Sequence, residues 1–366
     1  MRPLLSALLL LLAPTYATAD DPTPLPIGSP APDFRLPGVD GKTYSLADFQ
    51  DAKVLVVLFT CNHCPTAQAY EERIARLHAD YKDRGVALVA ISPNDPLAVR
   101  LDELGYTDLG DSFEDMKIRA RDHQFAYPYL YDGETQATSR AYGVLATPHV
   151  FIFDADRKLR YQGRIDDQEV KPPTKHDAIN AIEALLAGQP VPVETTRVFG
   201  CSTKWADKRE SAKEALARWD AEPVSLEPID ADQVARLARN DSNRLLVINL
   251  WATWCGPCVQ ELPELVTINR MYRGRPFELV TISLDEPSQR DEALRVLQQN
   301  KVAMKNYLFT GDDKDALAAA LDKDWPGPIP YTLVIAPGGK VLYRKLGAFD
   351  PLELKRAIVG YLGRTY

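Results

Sequence analysis

The residues of this 366-residue chain that can do chemistry are its five cysteines, four of them arranged as two Cys-x-x-Cys pairs, Cys61/Cys64 and Cys255/Cys258. A thiolate, not a thiol, attacks a disulfide sulfur, and a second thiol three residues away can reach the mixed disulfide that forms and resolve it. Each pair follows an apolar run, Val54–Phe59 or Leu245–Leu250, and precedes a stretch of helical periodicity, so each lies at a strand-to-helix junction. The free N–H groups and partial positive charge at a helix N-terminus favour an anionic sulfur there. Two other uses of such pairs fit less well. Four thiolates could bind zinc, but the pairs are 194 residues apart and each sits in its own strand–helix unit. Structural disulfides favour loops over such junctions. The placement favours thiol–disulfide exchange.

The elements that position these pairs come twice. Val54–Phe59 and Val86–Ile91 read as buried strands, with Thr66–Tyr81 as a helix between them that puts Tyr70, Ile74 and Leu77 on one face. Phe113–Gln124 reads as a helix, Val150–Phe153 and Leu159–Gln162 as strands, and His176–Ala187 as a closing helix. The order then returns. Leu245–Leu250, Phe277–Ile282, Thr332–Ile335 and Val341–Tyr343 read as strands, and Glu261–Tyr272, Gln289–Gln299, Ala316–Leu321 and Leu352–Leu362 as helices. Pro148 with Lys158 and Tyr161 matches Pro330 with Lys340 and Tyr343 at equal offsets, which supports a repeat. Alternating strands and helices imply a layered α/β domain in each half.

Composition limits the partners. Forty-three basic residues against 51 acidic ones give a net charge of −8, so the chain lacks the basic footprint of a nucleic-acid binder. Arg2, the ten-residue run Leu4–Ala13 with Ser6 as its one polar residue, and Ala17-Thr18-Ala19 have the order of a cleavable secretory signal. The run is too short to span a bilayer, which takes about 20 apolar residues. The expected organisation is a signal peptide at 1–19, a first domain at 20–190, a linker carrying Cys201 at 191–221 and a second domain at 222–366. A bacterial periplasm is the expected compartment, without stable membrane insertion.

In the second half, Trp251-Ala252-Thr253-Trp254-Cys255-Gly256-Pro257-Cys258, followed by Glu261 and Pro263, resembles the active site of the TlpA-like thiol–disulfide oxidoreductases. The resemblance implies a thioredoxin fold, a mixed central sheet with helices on both faces. It also implies that Cys255 attacks, that Cys258 resolves, and that Pro330 is a cis-proline leaving the Ile329 backbone free to pair with a bound peptide. Thioredoxin's buried carboxylate six residues before the first cysteine is Asn249 here, which makes Glu261 the candidate for deprotonating Cys258.

In the first half, Gly28-Ser29-Pro30-Ala31-Pro32-Asp33-Phe34 resembles the opening of the redoxin superfamily that includes peroxiredoxins. Thr60-Cys61-Asn62-His63-Cys64-Pro65-Thr66 then reads in two registers. As a Cys-x-x-Cys, Cys61 attacks and Cys64 resolves, with His63 stabilising the thiolate as in DsbA-type oxidases and making this pair the more oxidising of the two. As a peroxiredoxin loop, Cys64 is the reactive residue. Leu58 and Cys61 stand where that pattern needs Pro and Thr, and Thr147-Pro148-His149 resembles a cis-proline segment with Thr147 and Pro148 against the substrate. Both points favour the first register. Cys201, in Gly200-Cys201-Ser202-Thr203-Lys204-Trp205, is a fifth thiol that either resolves or lies buried and free.

The reading is a periplasmic thiol–disulfide oxidoreductase of two thioredoxin-like domains, acting on protein thiols and disulfides and serving redox homeostasis. Gly-rich phosphate loops are absent, so no flavin or nicotinamide cofactor is implied, and electrons would come from a membrane or periplasmic donor. The alternatives are an antioxidant thiol peroxidase, with the second domain recycling the first, and a copper metallochaperone using His63, His149, Cys61 and Cys64. No metal is expected in the favoured reading.

Overall fold

The computed structural model describes residues 22–366 apart from residue 312. The expected signal peptide at 1–19 lies outside the described residues. A short hairpin, β1 (Arg35–Pro37) and β2 (Thr43–Ser45), leads to β3 (Val54–Phe59), every residue of which is buried. There follow α1 (Pro65–Tyr81), β4 (Val86–Ser92), α2 (Phe113–Asp122), β5 (Tyr129–Tyr131), α3 (Ala137–Tyr142), β6 (Ala146–Thr147), β7 (His149–Phe153), β8 (Leu159–Gly163) and α4 (Asp177–Leu186). The sheet runs β5-β4-β3-β7-β8, with β3, β4 and β5 parallel and β7 antiparallel to both neighbours. Apolar clusters cover both faces. Tyr70, Ile74 and Leu77 of α1 pack with Ala181 and Ile182 of α4 on one, and Phe34, Tyr142 and Trp205 close the other. An all-apolar strand such as β3 is what a sheet buried on two sides requires.

After β9 (Cys201–Ser202) and α5 (Arg209–Asp220) the plan repeats: β10 (Glu227–Ile229), α6 (Ala231–Arg239), β11 (Leu245–Trp251), α7 (Gly256–Tyr272), β12 (Phe277–Ser283), α8 (Arg290–Gln299), β13 (Lys305–Phe309), α9 (Lys314–Leu321), β14 (Tyr331–Ile335), β15 (Val341–Leu346) and α10 (Pro351–Leu362). The second sheet runs β10-β13-β12-β11-β14-β15, its first four strands parallel and β14 antiparallel to both of its neighbours. It too is buried on both faces. The chain is thus two mixed-sheet α/β domains with helices on either side. The elements expected from sequence recur within a few residues, α7 beginning five residues earlier than its periodic pattern.

The segment 191–221, expected as a linker, packs on the first domain over its earlier part, while Asp220 near its end pairs with Arg270 and Lys301 of the second. Thr195 bridges Gln162, β9 pairs antiparallel with β6, and Trp205 is buried in the first core. Gly200 permits the approach of β9. Its φ of +134° lies where side chains are strained, and a Cβ there would stand 2.1 Å from the Thr147 carbonyl oxygen. Gly200→Ala is therefore expected to lever β9 off β6 and to cost about 1–3 kcal/mol. Thermal unfolding together with faster alkylation of Cys201 would register it, and unchanged values of both would refute it.

The second domain meets the first through the C-terminal end of α7, through α10 and through the last residues of the chain, where Tyr366 packs on Tyr106. Tyr272 Oη donates to the Thr107 carbonyl at 2.7 Å, Arg275 donates to the Gly105 carbonyl at 3.0 Å, and Asp108 binds Arg356 at 3.2 Å and Arg364 at 2.5 Å. Cys255 stands at the other end of α7, 17 residues or roughly 25 Å away along its axis.

Candidate active site

In the second domain β11 delivers the chain to Cys255, the N-cap of α7, and Cys258 lies fully buried in its first turn; the two sulfurs are joined as a disulfide. Cys255 is almost covered, but its neighbour Trp254 is 62% exposed, an apolar platform at the rim of the site. The loop is anchored by Asp285 at the end of β12. This buried carboxylate accepts the Thr253 N–H at 3.1 Å and the Thr253 hydroxyl at 2.6 Å. The Ile329–Pro330 peptide is cis, with Pro330 buried and Ile329 half-buried beside it.

Glu261 follows Cys258 by three residues on the same helical face. It is buried, accepts from Asn249 Nδ2 at 2.7 Å, and is pushed up to about 7 by desolvation against those hydrogen bonds. A carboxyl near neutrality can take a proton and return it, which is the property a base for Cys258 needs. Asn249, standing where a carboxylate was missed in the sequence, donates the hydrogen bond that orients it. Between pH 4.5 and about 7 the unfolded chain releases this proton while the folded chain keeps it. Stability therefore falls as pH rises through that window, by about 3 kcal/mol in full. Glu261→Gln is expected to be the more stable protein at pH 8 while resolving mixed disulfides about 10- to 100-fold more slowly. Resolution at the wild-type rate would remove Glu261 from the reaction.

The cysteines of the first domain do not stand where those of the second do. In the ladders, Phe59 of β3 pairs with His149, the residue after Pro148, and Leu250 of β11 pairs with Tyr331, the residue after Pro330. Five residues beyond Phe59 is Cys64, and five beyond Leu250 is Cys255. Both are N-caps of their helices and both are followed by Pro in the first turn. Cys64, not Cys61, thus occupies the position of Cys255. Cys61 corresponds to Ala252, and the position of Cys258 is taken by Ala67.

Three thiols meet at this point. Cys61 and Cys64 are buried together with Ala67, and half-buried Cys201 packs against them. Cys64 Sγ lies 3.3 Å from the Cys201 backbone N–H and 3.3 Å from the Thr147 carbonyl oxygen, and Cys61 Sγ lies 3.1 Å from Thr147 Oγ1. Burial alone would raise the Cys64 thiol. Hydrogen bonds from the thiols of Cys201 and Cys61, with the charge of His63, pull it well below the ordinary thiol range. Cys61 moves the other way, pushed up by burial and by Cys64.

His63 is wholly buried and pairs through Nδ1 with Asp111 Oδ2 at 2.5 Å, 3.6 Å from Cys61 Sγ. Burial lowers its basicity, and the Asp111 carboxylate more than offsets this. Asp111 also accepts the backbone N–H groups of Asn62 and His63 and the Asn94 amide, and so anchors this loop as Asp285 anchors the other. Neither aspartate belongs to a local motif, and sequence reasoning missed both. Cys61, His63 and Asp111 lie within metal-binding distance of one another, but the Asp111 oxygens are fully engaged by protein donors. The copper set is not assembled. His149 Nε2 pairs with Gln162 and its Nδ1 with the Leu145 N–H, away from the thiols. The Thr147–Pro148 peptide is cis, as the sequence implied, but the Thr147 edge expected to receive substrate is paired with β9.

Residues 27–162 match the AhpC/TSA family and residues 230–358 the Redoxin family. The chain is 27% identical over 122 residues to the thiol-disulfide oxidoreductase ResA of Bacillus cereus, covering 31% of this chain and 60% of that protein. It is 27% identical over 167 residues to the thiol:disulfide interchange protein DsbE of Yersinia pestis, covering 43% of this chain and 78% of that protein. The chain spans about 60% of the length of the ResA proteins it matches. Among solved structures, a hypothetical protein from Sinorhizobium meliloti 1021 is 32% identical, with a TM-score of 0.46, over 50% of this chain and 97% of that one. An uncharacterized conserved protein from Geobacillus kaustophilus is 38% identical, with a TM-score of 0.44, over 49% and 92%.

Proposed function

Because this chain carries two redoxin-type thioredoxin-fold domains in tandem, at residues 27–162 and 230–358, we propose that it is a thiol–disulfide oxidoreductase whose second domain exchanges disulfides with proteins. The observation that carries this is the Cys255–Cys258 disulfide at the N-terminus of α7, beside exposed Trp254 and an edge at Ile329 that no described strand occupies. Cys255 attacks, the helix terminus stabilising its thiolate, and Cys258 resolves with Glu261 as the proton acceptor. An extended peptide laid along Ile329–Pro330 would bring its own sulfur to Cys255. The relatives' names, thiol-disulfide oxidoreductase and thiol:disulfide interchange protein, support the same reaction class.

The compartment follows from the N-terminal segment, whose charge, apolar run and Ala-x-Ala site support export to a periplasm. No helix among the described residues is long and apolar enough to cross a membrane. The reaction is tested by following dithiothreitol-dependent reduction of insulin with the full chain. Catalysis is expected, and a rate no faster than dithiothreitol alone would overturn the proposal.

A second reading applies to the first domain: reduction of a hydroperoxide by Cys64. It is favoured by the register that sets Cys64 at a helix N-cap with its thiol shifted toward the anion, and by the AhpC/TSA match. Of the two sites, that of Cys255 stands at the end of α7 opposite the one that touches the first domain, roughly 25 Å from that contact. Electron transfer between them therefore takes a second molecule or a domain movement.

A further inference from the structure

The second domain leaves its substrate edge open, while the first has its edge filled by its own chain. Ala146–Thr147 is paired with Cys201–Ser202. That occupant is held on both sides. Gly200 allows the contact with Thr147, the Lys204 N–H donates to Asn94 Oδ1 at 2.9 Å, Lys204 Nζ reaches Glu103 at 2.6 Å, and Trp205 is buried. Cys201 consequently sets its N–H 3.3 Å from Cys64 Sγ, and its side chain packs against the Cys61 and Cys64 thiols. The place where a resolving cysteine would follow Cys64 on its helix is Ala67.

We propose that Cys201 is the resolving thiol of the first domain: β9 fills the domain's own substrate edge and presents Cys201 to Cys64 as a built-in exchange partner. The domain then serves small oxidants, because an extended protein chain would have to displace β9. This rests on the reading of Cys64 as a hydroperoxide-reducing thiolate. The Cys64 sulfur attacks the hydroperoxide, the O–O bond breaks, the alcohol leaves with a proton from solvent, and Cys64 becomes a sulfenic acid. Cys201 then attacks that sulfur. The S–O bond breaks, hydroxide takes up the Cys201 proton to leave as water, and a Cys64–Cys201 disulfide remains. Two electrons have passed from the two sulfurs to the peroxide. An external protein dithiol restores both thiols by attacking at Cys201, a half-buried residue, whereas Cys64 is fully buried. Cys61 remains a thiol throughout, donating to its neighbours.

The test uses the full chain carrying Cys255→Ser and Cys258→Ser, so that only the first domain reports. The reduced protein is treated with one equivalent of hydrogen peroxide or, separately, with diamide, then alkylated, digested and mapped by mass spectrometry. A Cys64–Cys201 linkage with Cys61 alkylated is expected. Adding Cys201→Ser should abolish the linkage and leave a dimedone-reactive Cys64 sulfenic acid after peroxide. If diamide forms Cys64–Cys201 while peroxide leaves every thiol free, the hydroperoxide reading falls and the role of Cys201 stands. A Cys61–Cys64 linkage with Cys201 still alkylated under both oxidants overturns the proposal.

Discussion

In the full chain, Cys255→Ser is expected to lower catalysed reduction of protein disulfides by more than about a thousand-fold, to the level left by the dithiol alone. A hydroxyl at the N-cap of α7 keeps the shape of the site and loses the nucleophile. Cys258→Ser is expected to behave differently. Attack by Cys255 persists, but the adduct has no partner thiol and accumulates as a mixed disulfide that survives non-reducing electrophoresis. The asymmetry follows from position. Cys255 caps the helix beside exposed Trp254, whereas Cys258 is fully buried one turn in. An adduct trapped in Cys255→Ser and absent from Cys258→Ser would reverse the two roles.

The second large effect belongs to the first domain. Cys64→Ser is expected to slow its reaction with hydrogen peroxide by more than about a thousand-fold, and Cys61→Ser by no more than about ten-fold. The pH profile separates them further. Cys64 is held well below the ordinary thiol range, so its rate stays level as pH falls below 9 and declines only when pH passes through that lowered value. Cys61 is raised well above 9 and carries no appreciable thiolate at neutral pH. Stopped-flow measurement of the two variants between pH 6 and 9 decides the matter. A Cys61→Ser protein as inert as Cys64→Ser would return the first domain to the simple Cys-x-x-Cys scheme.

That scheme was the natural reading of the sequence, and spacing alone does not reveal the register that competes with it. Both halves place cysteines three residues apart after an apolar strand, so spacing alone makes the pairs look equivalent. What separates them is the ladder between β3 and β7, which shows how far each cysteine stands from the aligned end of its strand. Register of this kind is a long-range property. The same holds for Cys201, which reaches Cys64 across 137 residues of chain, and for Asp111 and Asp285, each a single acid brought to its loop from the end of another segment. Features dictated locally were legible. The buried strands, the helices behind them and the Trp254-Cys255-Gly256-Pro257-Cys258 run follow from periodicity or short spacing, and the link between Glu261 and Asn249 from the family resemblance. The short strand β5 carried too few residues to declare a period.

The central claim is that Cys255 is the sulfur that meets protein disulfides. The reduced wild-type chain should be mixed with an excess of a peptide disulfide, quenched in acid at successive times from milliseconds onward, and its adducts mapped by mass spectrometry. The first mixed disulfide is expected on Cys255, giving way to the Cys255–Cys258 disulfide as peptide thiol is released. An earliest adduct on Cys258 or Cys61, or release of peptide thiol with no adduct on Cys255 at any time, would contradict it.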